Sequence, residues 1–451
     1  MSIKHTFASV GLGAAMMLAV VAAPATARAA TPAASSQPAI PQVASAQAGG
    51  TWLAAQFNSQ GYIPSSEVPG AADYSSTVNA ILALASSGID PSLAHTALIY
   101  MSGHVDAYVT EDGADGPGQL ALLILDAHAL GVSSTSFGGT NLVSRLLATE
   151  QMSGTDAGLF GTEAQVNDFA AGTYQQGLAL AALAAVGDTT GSVITAADAW
   201  LHGQQCSDGG WTSYENADNP CNGSPADFEG PDTNSTSLAI EGLSAQGDLG
   251  STDASKALKF LTKAQDPDGG WGYEPNAASA PGSTDPDSTA LVIQGLLALG
   301  QSPTKSTFDK GSANPVAALE SFQVTSGSDT GAFTFPGLSG PDLLATYQAV
   351  PAVAGVVFPF NLAVTTSSLP AGTPGTKYSA TLAATGGNAP YKWTVLSGSL
   401  PAGLKLNKSG VISGKPTGSG TSTFTVEVTD TKTATAPHTD NIAWKVLSLT
   451  T

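Results

Sequence analysis

Few side chains in this sequence are of types that perform chemistry, and most of those fall in two loops. Cys206 and Cys221 are the only cysteines, and both lie in one loop. Asp208, Asp218, Asp227, Glu229 and Asp232 share that loop, while Asp266, Asp268, Glu274, Asp285 and Asp287 crowd the next. Hard oxygen ligands at this density could bind Ca²⁺ outside a cell, with Asp266 and Asp268 as the candidate ligands. The alternative is a solvated acidic face, since neither stretch has EF-hand spacing. His95, His104, His128 and His202 fall in no serine or cysteine nucleophile motif. Asp287-Ser288 stands before an apolar run, as Asn234-Ser235 does in the preceding unit. Such pairs are expected to cap helix N-termini, and a carboxylate capping a helix in water stays ionised.

The elements that position these residues follow from composition. The chain has 451 residues, of which 42% are hydrophobic and only 11% charged, enough apolar material for a large core in two or three domains. A net charge of −20 argues against a protein that neutralises phosphates, so nucleic acid is not an expected partner. Residues 1–29 read as a secretory signal peptide: Lys4, an apolar run from Val10 to Val21, and Ala27-Arg28-Ala29 as a cleavage site. That run falls short of the roughly 20 residues that span a bilayer, and no later segment reaches that length, so the mature chain is expected to be secreted, without a transmembrane segment. Residues 30–49 are rich in Ala, Pro, Ser and Gln and carry no charge, which reads as a flexible linker. In an exported chain the two cysteines are expected to form a disulfide. Charge then sorts sharply: residues 30–360 hold six basic against 32 acidic side chains, a net of −26, whereas 361–451 has a net of +4. A domain boundary is expected near Phe360.

A repeat fills the acidic body. Gln205, Asp208-Gly209-Gly210-Trp211 and the run Ser235 to Leu243 recur as Gln265, Asp268-Gly269-Gly270-Trp271 and Ser288 to Leu296. Looser copies surround them, one beginning at Trp52, one at Leu93, one at Leu146 and one at Ala317, which makes six units. Each unit reads as an amphipathic helix, a Gly-rich loop and a helix built almost wholly from Ala, Leu, Val and Ile. A helix apolar all round must be buried. Six such hairpins, apolar helices inside and amphipathic helices outside, can close into an (α/α)6 toroid over residues 50–360.

The segments Gln205 to Trp211 and Gln265 to Trp271 resemble the QW-type repeats of squalene-hopene cyclases and protein prenyltransferase β subunits. The resemblance implies an α/α toroid. It also implies, through the likeness of Asp285-Pro286-Asp287-Ser288-Thr289-Ala290 to the Asp-x-Asp-Asp-Thr-Ala motif of class II cyclases, that Asp287 stands at the position of the acid that protonates an alkene, with Asp285 beside it. Ser288 replaces the fourth residue of that motif. Prenyltransferase chemistry needs a zinc-binding cysteine at the inner-helix starts, and complement-type thioester chemistry needs a cysteine before Gln119; the sequence has neither.

After residue 361, turns recur at Gly386-Gly387, Gly398, Gly403 and Ser409-Gly410, with alternating apolar and polar runs between them, the pattern of short antiparallel strands. Ala389 to Trp393, Leu400 to Leu404 and Gly410 to Pro416 resemble the Ig-like domains appended to many bacterial surface and secreted proteins, so residues 361–451 are expected to form an all-β Ig-like sandwich with Trp393 in its core. The whole reads as a multidomain, exported toroid-plus-Ig-like protein. The reading favoured by the shortage of catalytic residues is a non-catalytic binding or cell-surface protein, whose partner is a small ligand or a surface polymer. The alternatives are a terpenoid-cyclase-type enzyme using Asp287 and an extracellular carrier of a small molecule, as in cobalamin-binding toroids.

Overall fold

The computed structural model describes residues 42–111, 113–167, 170–214, 221, 230–275, 284–311, 313–360, 363–364, 366, 368–385, 391–429 and 442–451. The signal-peptide segment, residues 30–41 of the linker, and Asp218, Asp227 and Glu229 of the first acidic loop lie outside the described residues.

Among the described residues, fourteen α-helices, with two-residue strand pairs in three of the intervening loops, precede the C-terminal β region: α1 (Val43–Ala54), α2 (Tyr74–Ser87), α3 (Pro91–Ser102), α4 (Val105–Val109), α5 (Pro117–Ala129), α6 (Leu142–Leu147), α7 (Glu163–Asn167), α8 (Thr173–Ala185), α9 (Ser192–Gly203), α10 (Thr233–Gln246), α11 (Ser251–Ala264), α12 (Pro286–Ala298), α13 (Pro315–Glu320) and α14 (Leu343–Ala354). Helices α2, α5, α8, α10, α12 and α14 pack each on the next, and α14 packs back on α2, which closes an inner ring of six. The division follows apolar content. Inner helix α12 buries twelve of its thirteen residues. Outer helix α11 buries only Ala257, Phe260, Leu261 and Ala264, a single stripe at helical spacing. Where α8 meets α10, Gly177 lies against Gly242 and the Leu238 carbonyl, so a Cβ at either glycine would drive the helices apart.

The repeat residues lock neighbouring hairpins together. Gln205 Nε2 donates to the carbonyls of Gly209 (3.1 Å) and of Asp253 in the next outer helix (3.2 Å), and Gln265 Nε2 does the same to Gly269 and Phe308 (both 2.8 Å). Trp211 and Trp271, both fully buried, donate their indole N–H to Leu201 (2.8 Å) and Leu261 (2.7 Å), the outer helix of their own unit. In the last unit Gln323 Nε2 reaches Gly331 (3.0 Å) and Ser45 of α1 (2.9 Å). Helix α1, which also packs along α14, is therefore the outer helix that completes the ring.

That result corrects the expected linker. Residues 43–49 are helical, with Ser45, Ala46, Gly49 and Gly50 buried. Their small side chains lack apolar periodicity, yet small size is what lets α1 lie close to its neighbours. The expected disulfide joins Cys206 to Cys221.

The C-terminal region is a small β domain of two three-stranded sheets and a short pairing of Ala363–Val364 with Ala384–Thr385. Lys392–Gly398 pairs antiparallel with Thr421–Thr429, which pairs antiparallel with Ile442–Thr450. The second sheet runs Leu404–Leu406, Val411–Gly414, Tyr378–Thr381. Trp393, Ile412, Phe424, Val426, Val428, Leu447 and Leu449 fill the space between, so Trp393 is a core residue, as expected.

Candidate active site

The axis of the ring encloses a cavity of about 70 Å³ to which all six inner helices contribute. Its wall has levels set by position along each helix, one turn rising about 5 Å. The N-terminal level carries Ser75, Gln119, Tyr174 and Gln175. One turn deeper, Leu122, Leu178, Leu238 and Leu291 form an apolar waist, interrupted by Asn79, Tyr347 and Gln348. The far end holds Leu82, Gln294, Pro351 and Phe358. Tyr108, from the short α4, adds a fourth aromatic ring. The buried phenols of Tyr108, Tyr174 and Tyr347 are all held well above their ordinary pKa by desolvation, so they remain neutral donors.

The two acids heading α12 differ in role. Asp285 is the helix cap: its carboxylate accepts the Ser288 amide at 2.7 Å and the Ser288 hydroxyl at 2.9 Å. Burial raises its pKa to about 6 against the pull of these bonds. Asp287, in the first turn, is 8% exposed, and its Oδ1 has no hydrogen-bond partner among the described residues. Burial first, then the charges of Asp285 and Asp342, push its pKa to about 8, so it holds a proton at neutral pH. It lies one turn before Leu291 on the same helical face and close enough to Tyr174 and Tyr347 to raise their pKa values, beside the cavity wall and not on it.

The expectation of Asp287 as a solvated, ionised cap is therefore corrected. The cap is Asp285, and in the preceding unit it is Asp232, accepting from Ser235 N at 2.6 Å, where Asn234-Ser235 had been expected. Asp73 and Asp342 cap α2 and α14 in the same way.

Asp266 and Asp268, the candidate Ca²⁺ ligands, both contact the Thr284 hydroxyl, at 3.0 and 2.6 Å. No group of three or more His, Cys, Asp or Glu side chains suited to a metal occurs among the described residues. Three of the four histidines among the described residues have local partners. His95 and His104 bond backbone carbonyls one turn earlier, and His202 lies between Asp248 (3.0 Å) and Asp253 (3.3 Å). His128 is pushed down by burial.

Two buried acids on the inner helices escaped the sequence reading. Glu241, on α10, is 1% exposed, accepts the Phe358 amide through Oε2 at 3.2 Å, leaves Oε1 without a partner, and is pushed by burial to about 8. Asp126, on α5, is fully buried with neither oxygen bonded, and burial raises its pKa well above the carboxylate range. The available signal was a lone acid inside an apolar helix, as in Ala239-Ile240-Glu241-Gly242-Leu243.

Residues 135–310 match the family model of the squalene-hopene cyclase C-terminal domain, and residues 361–446 match the family named "Putative Ig domain". None of the curated proteins matches the sequence. Among solved structures, the type II terpene cyclase MstE from Scytonema is similar at 18% identity over 70% of this chain and 98% of its own, with a TM-score of 0.47. A variant of it in complex with geranylgeranyl dihydroxybenzoate gives 16%, 69%, 96% and 0.44, and ent-copalyl diphosphate synthase from Streptomyces platensis gives 16%, 62%, 49% and 0.40. No described helix is long and apolar enough to cross a membrane. The chain thus joins a terpenoid-cyclase-like toroid to a C-terminal Ig-like domain.

Proposed function

We propose that the toroid is an enzyme of the terpenoid-cyclase type in which Asp287 protonates an isoprenoid alkene. One observation carries this reading: a buried carboxyl that holds its proton at neutral pH and has an unpartnered oxygen stands beside an axial cavity with tyrosine rings in its wall. Its segment also lies within the residues that match the squalene-hopene cyclase family. The alkene's π electrons would take the carboxyl proton to form a C–H bond, leaving a tertiary carbocation for an internal alkene to attack. A proton lost from the cyclised cation would end the reaction, and Asp287 would regain its proton from solvent. Tyr174 and Tyr347 would turn electron-rich faces toward the cation, and the Asp285 charge helps keep the proton on Asp287. The non-catalytic reading loses its main support, because Asp287 is not a solvated cap.

Incubating the protein with squalene or shorter polyprenoids and analysing extracts by gas chromatography tests this. Cyclised product from the natural chain and none from Asp287→Asn is the expected result. Absence of product from every polyprenoid, or equal product from the variant, removes the proposal. A second reading, a carrier of a small polar molecule, is favoured by the size and lining of the cavity. At about 70 Å³ it is well below the roughly 300–1,000 Å³ of ordinary ligand pockets and far too small for a corrin, and Asn79, Gln119, Gln175, Gln294 and Gln348 give it an amide lining. We also hold the protein to be exported. The signal-like first 29 residues support this, as does the Cys206–Cys221 bond, since disulfides persist in oxidising compartments.

A further inference from the structure

The cavity is small because the chain itself occupies its far end. After α14, Gly355 turns the backbone in a left-handed conformation (φ 72°), and the chain crosses the ring toward the Ig-like domain. Val356, Phe358 and Phe360 are buried in the toroid core, whereas Val357 and Pro359 between them are half-buried, and the backbone bends at Phe358 and Pro359. Phe358 lines the cavity and stacks on Phe360 at 5.9 Å. No sheet holds this segment. Two side chains from inner helices grip its backbone instead: Gln294 Nε2 donates to the Val356 carbonyl at 3.2 Å, and the Phe358 amide donates to Glu241 Oε2 at 3.2 Å. Both grips are almost fully buried, a costly placement for a polar group that lacks a partner. The carrying domain also touches the toroid, through Leu396 against the same core.

We propose that Val356–Phe360 is an intramolecular plug that closes the axial cavity, with Glu241 and Gln294 as its latches and the Ig-like domain as the handle that withdraws it. The latching is half-complete. Glu241 Oε1 has no partner among the described residues while the plug is seated, and withdrawal would let water or ligand reach both of its oxygens, which lowers the cost of opening. Withdrawal would also vacate the space of a phenyl ring and extend the cavity beyond its leucine waist. Any ligand longer than the present cavity must then compete with the plug, and its apparent affinity is scaled by the fraction of molecules that are open. This concerns access alone and stands whether or not Asp287 is an acid catalyst.

The test uses the full chain and the apolar dye Nile red, with binding and not turnover as its readout. Phe358→Ala is expected to bind the dye about tenfold more tightly than the natural protein; affinities equal within about twofold overturn the plug. Hydrogen exchange on the natural chain separates a moving plug from a void left by the substitution. With dye at saturation, the Phe358 amide is expected to exchange faster than in its absence, because its bond to Glu241 breaks. Unchanged or slower exchange there, with dye bound, overturns the proposal.

Discussion

Asp285 and Asp287 stand two residues apart at the head of one helix, and only Asp285 is bonded to it: its carboxylate takes the Ser288 amide at 2.7 Å, whereas Asp287 Oδ1 meets no donor among the described residues. Pro286 between them occupies the first helical position, where a missing N–H costs nothing. The cap thus anchors the helix while its neighbour is held as a protonated acid.

Opposite stability effects follow for the two acids. Asp285→Ala removes the cap and should destabilise the protein by about 1–2 kcal/mol. Asp287→Asn replaces a neutral acid by an uncharged group of the same shape: it should change stability by less than about 0.5 kcal/mol below about pH 4, where the unfolded carboxyl is protonated too, raise it at neutral pH, and abolish turnover. Urea unfolding of both variants checks this. A large loss for Asp287→Asn together with a small one for Asp285→Ala would reverse the assignment of cap and acid.

The buried acids predict a pH dependence. Asp287 and Glu241 are raised to about 8 and Asp232 to about 7, in each case first by burial, whereas unfolded carboxyls titrate near about 4. Between those limits the folded state binds more protons than the unfolded, so stability is full below about pH 4 for these groups and is lost as pH rises toward about 8. The melting temperature should fall from pH 5 to pH 8. Repulsion within the acidic body acts in the same direction, so the double variant Asp287→Asn, Glu241→Gln decides the cause: its profile should be flatter than that of the natural chain. A melting temperature that is level or rises across this range would contradict the burial of these acids in charged-intolerant surroundings.

The ring was legible because its determinants are local and repeated. Gln, Gly-Gly and Trp recur at fixed spacing in two units, and those two copies make the same bonds. The caps were misplaced by two residues, although Pro286 pointed to Asp285, because a Ser in the first turn looks like a cap when read alone. Helix α1 was missed for a different reason: Ala44, Ser45, Ala46, Gly49 and Gly50 carry no hydrophobic period, and their helix depends on α14, three hundred residues away. The plug was illegible for the same cause. Nothing in Val356 to Phe360 shows that the chain lies across the far end of the cavity, and the latches, Glu241 and Gln294, are single residues that no repeat marks.

Reduction of the disulfide should weaken one loop without opening the ring. Cys206 and Cys221 are separated by 15 residues, and closing a loop of that size stabilises by about 3 kcal/mol on the chain-entropy account. Dithiothreitol, or the double variant Cys206→Ala, Cys221→Ala, should lower the melting temperature while leaving the helical circular dichroism spectrum intact at low temperature. An unchanged melting temperature would mean that the loop is held by other contacts.

Ring closure gives the sharpest test of the fold. Gln323 donates to the carbonyls of Ser45 and Gly331 and accepts the Ser45 hydroxyl at 2.8 Å, so one side chain joins the last unit to the first. Gln42 adds a backbone bond to Val353 at 2.7 Å. Removing the Gln323 amide takes a donor from the Ser45 and Gly331 carbonyls and an acceptor from the Ser45 hydroxyl, and Gln323→Ala should cost about 1–3 kcal/mol. A chain beginning at residue 50 loses both the Ser45 contact and most of α1, and so exposes the face of α14 that α1 covers. It should melt well below a chain beginning at residue 42 and, unlike it, bind an apolar dye in the folded state. Equal melting temperatures for the two chains would show that residues 42–49 are a tether after all and that five outer helices suffice to hold the inner ring.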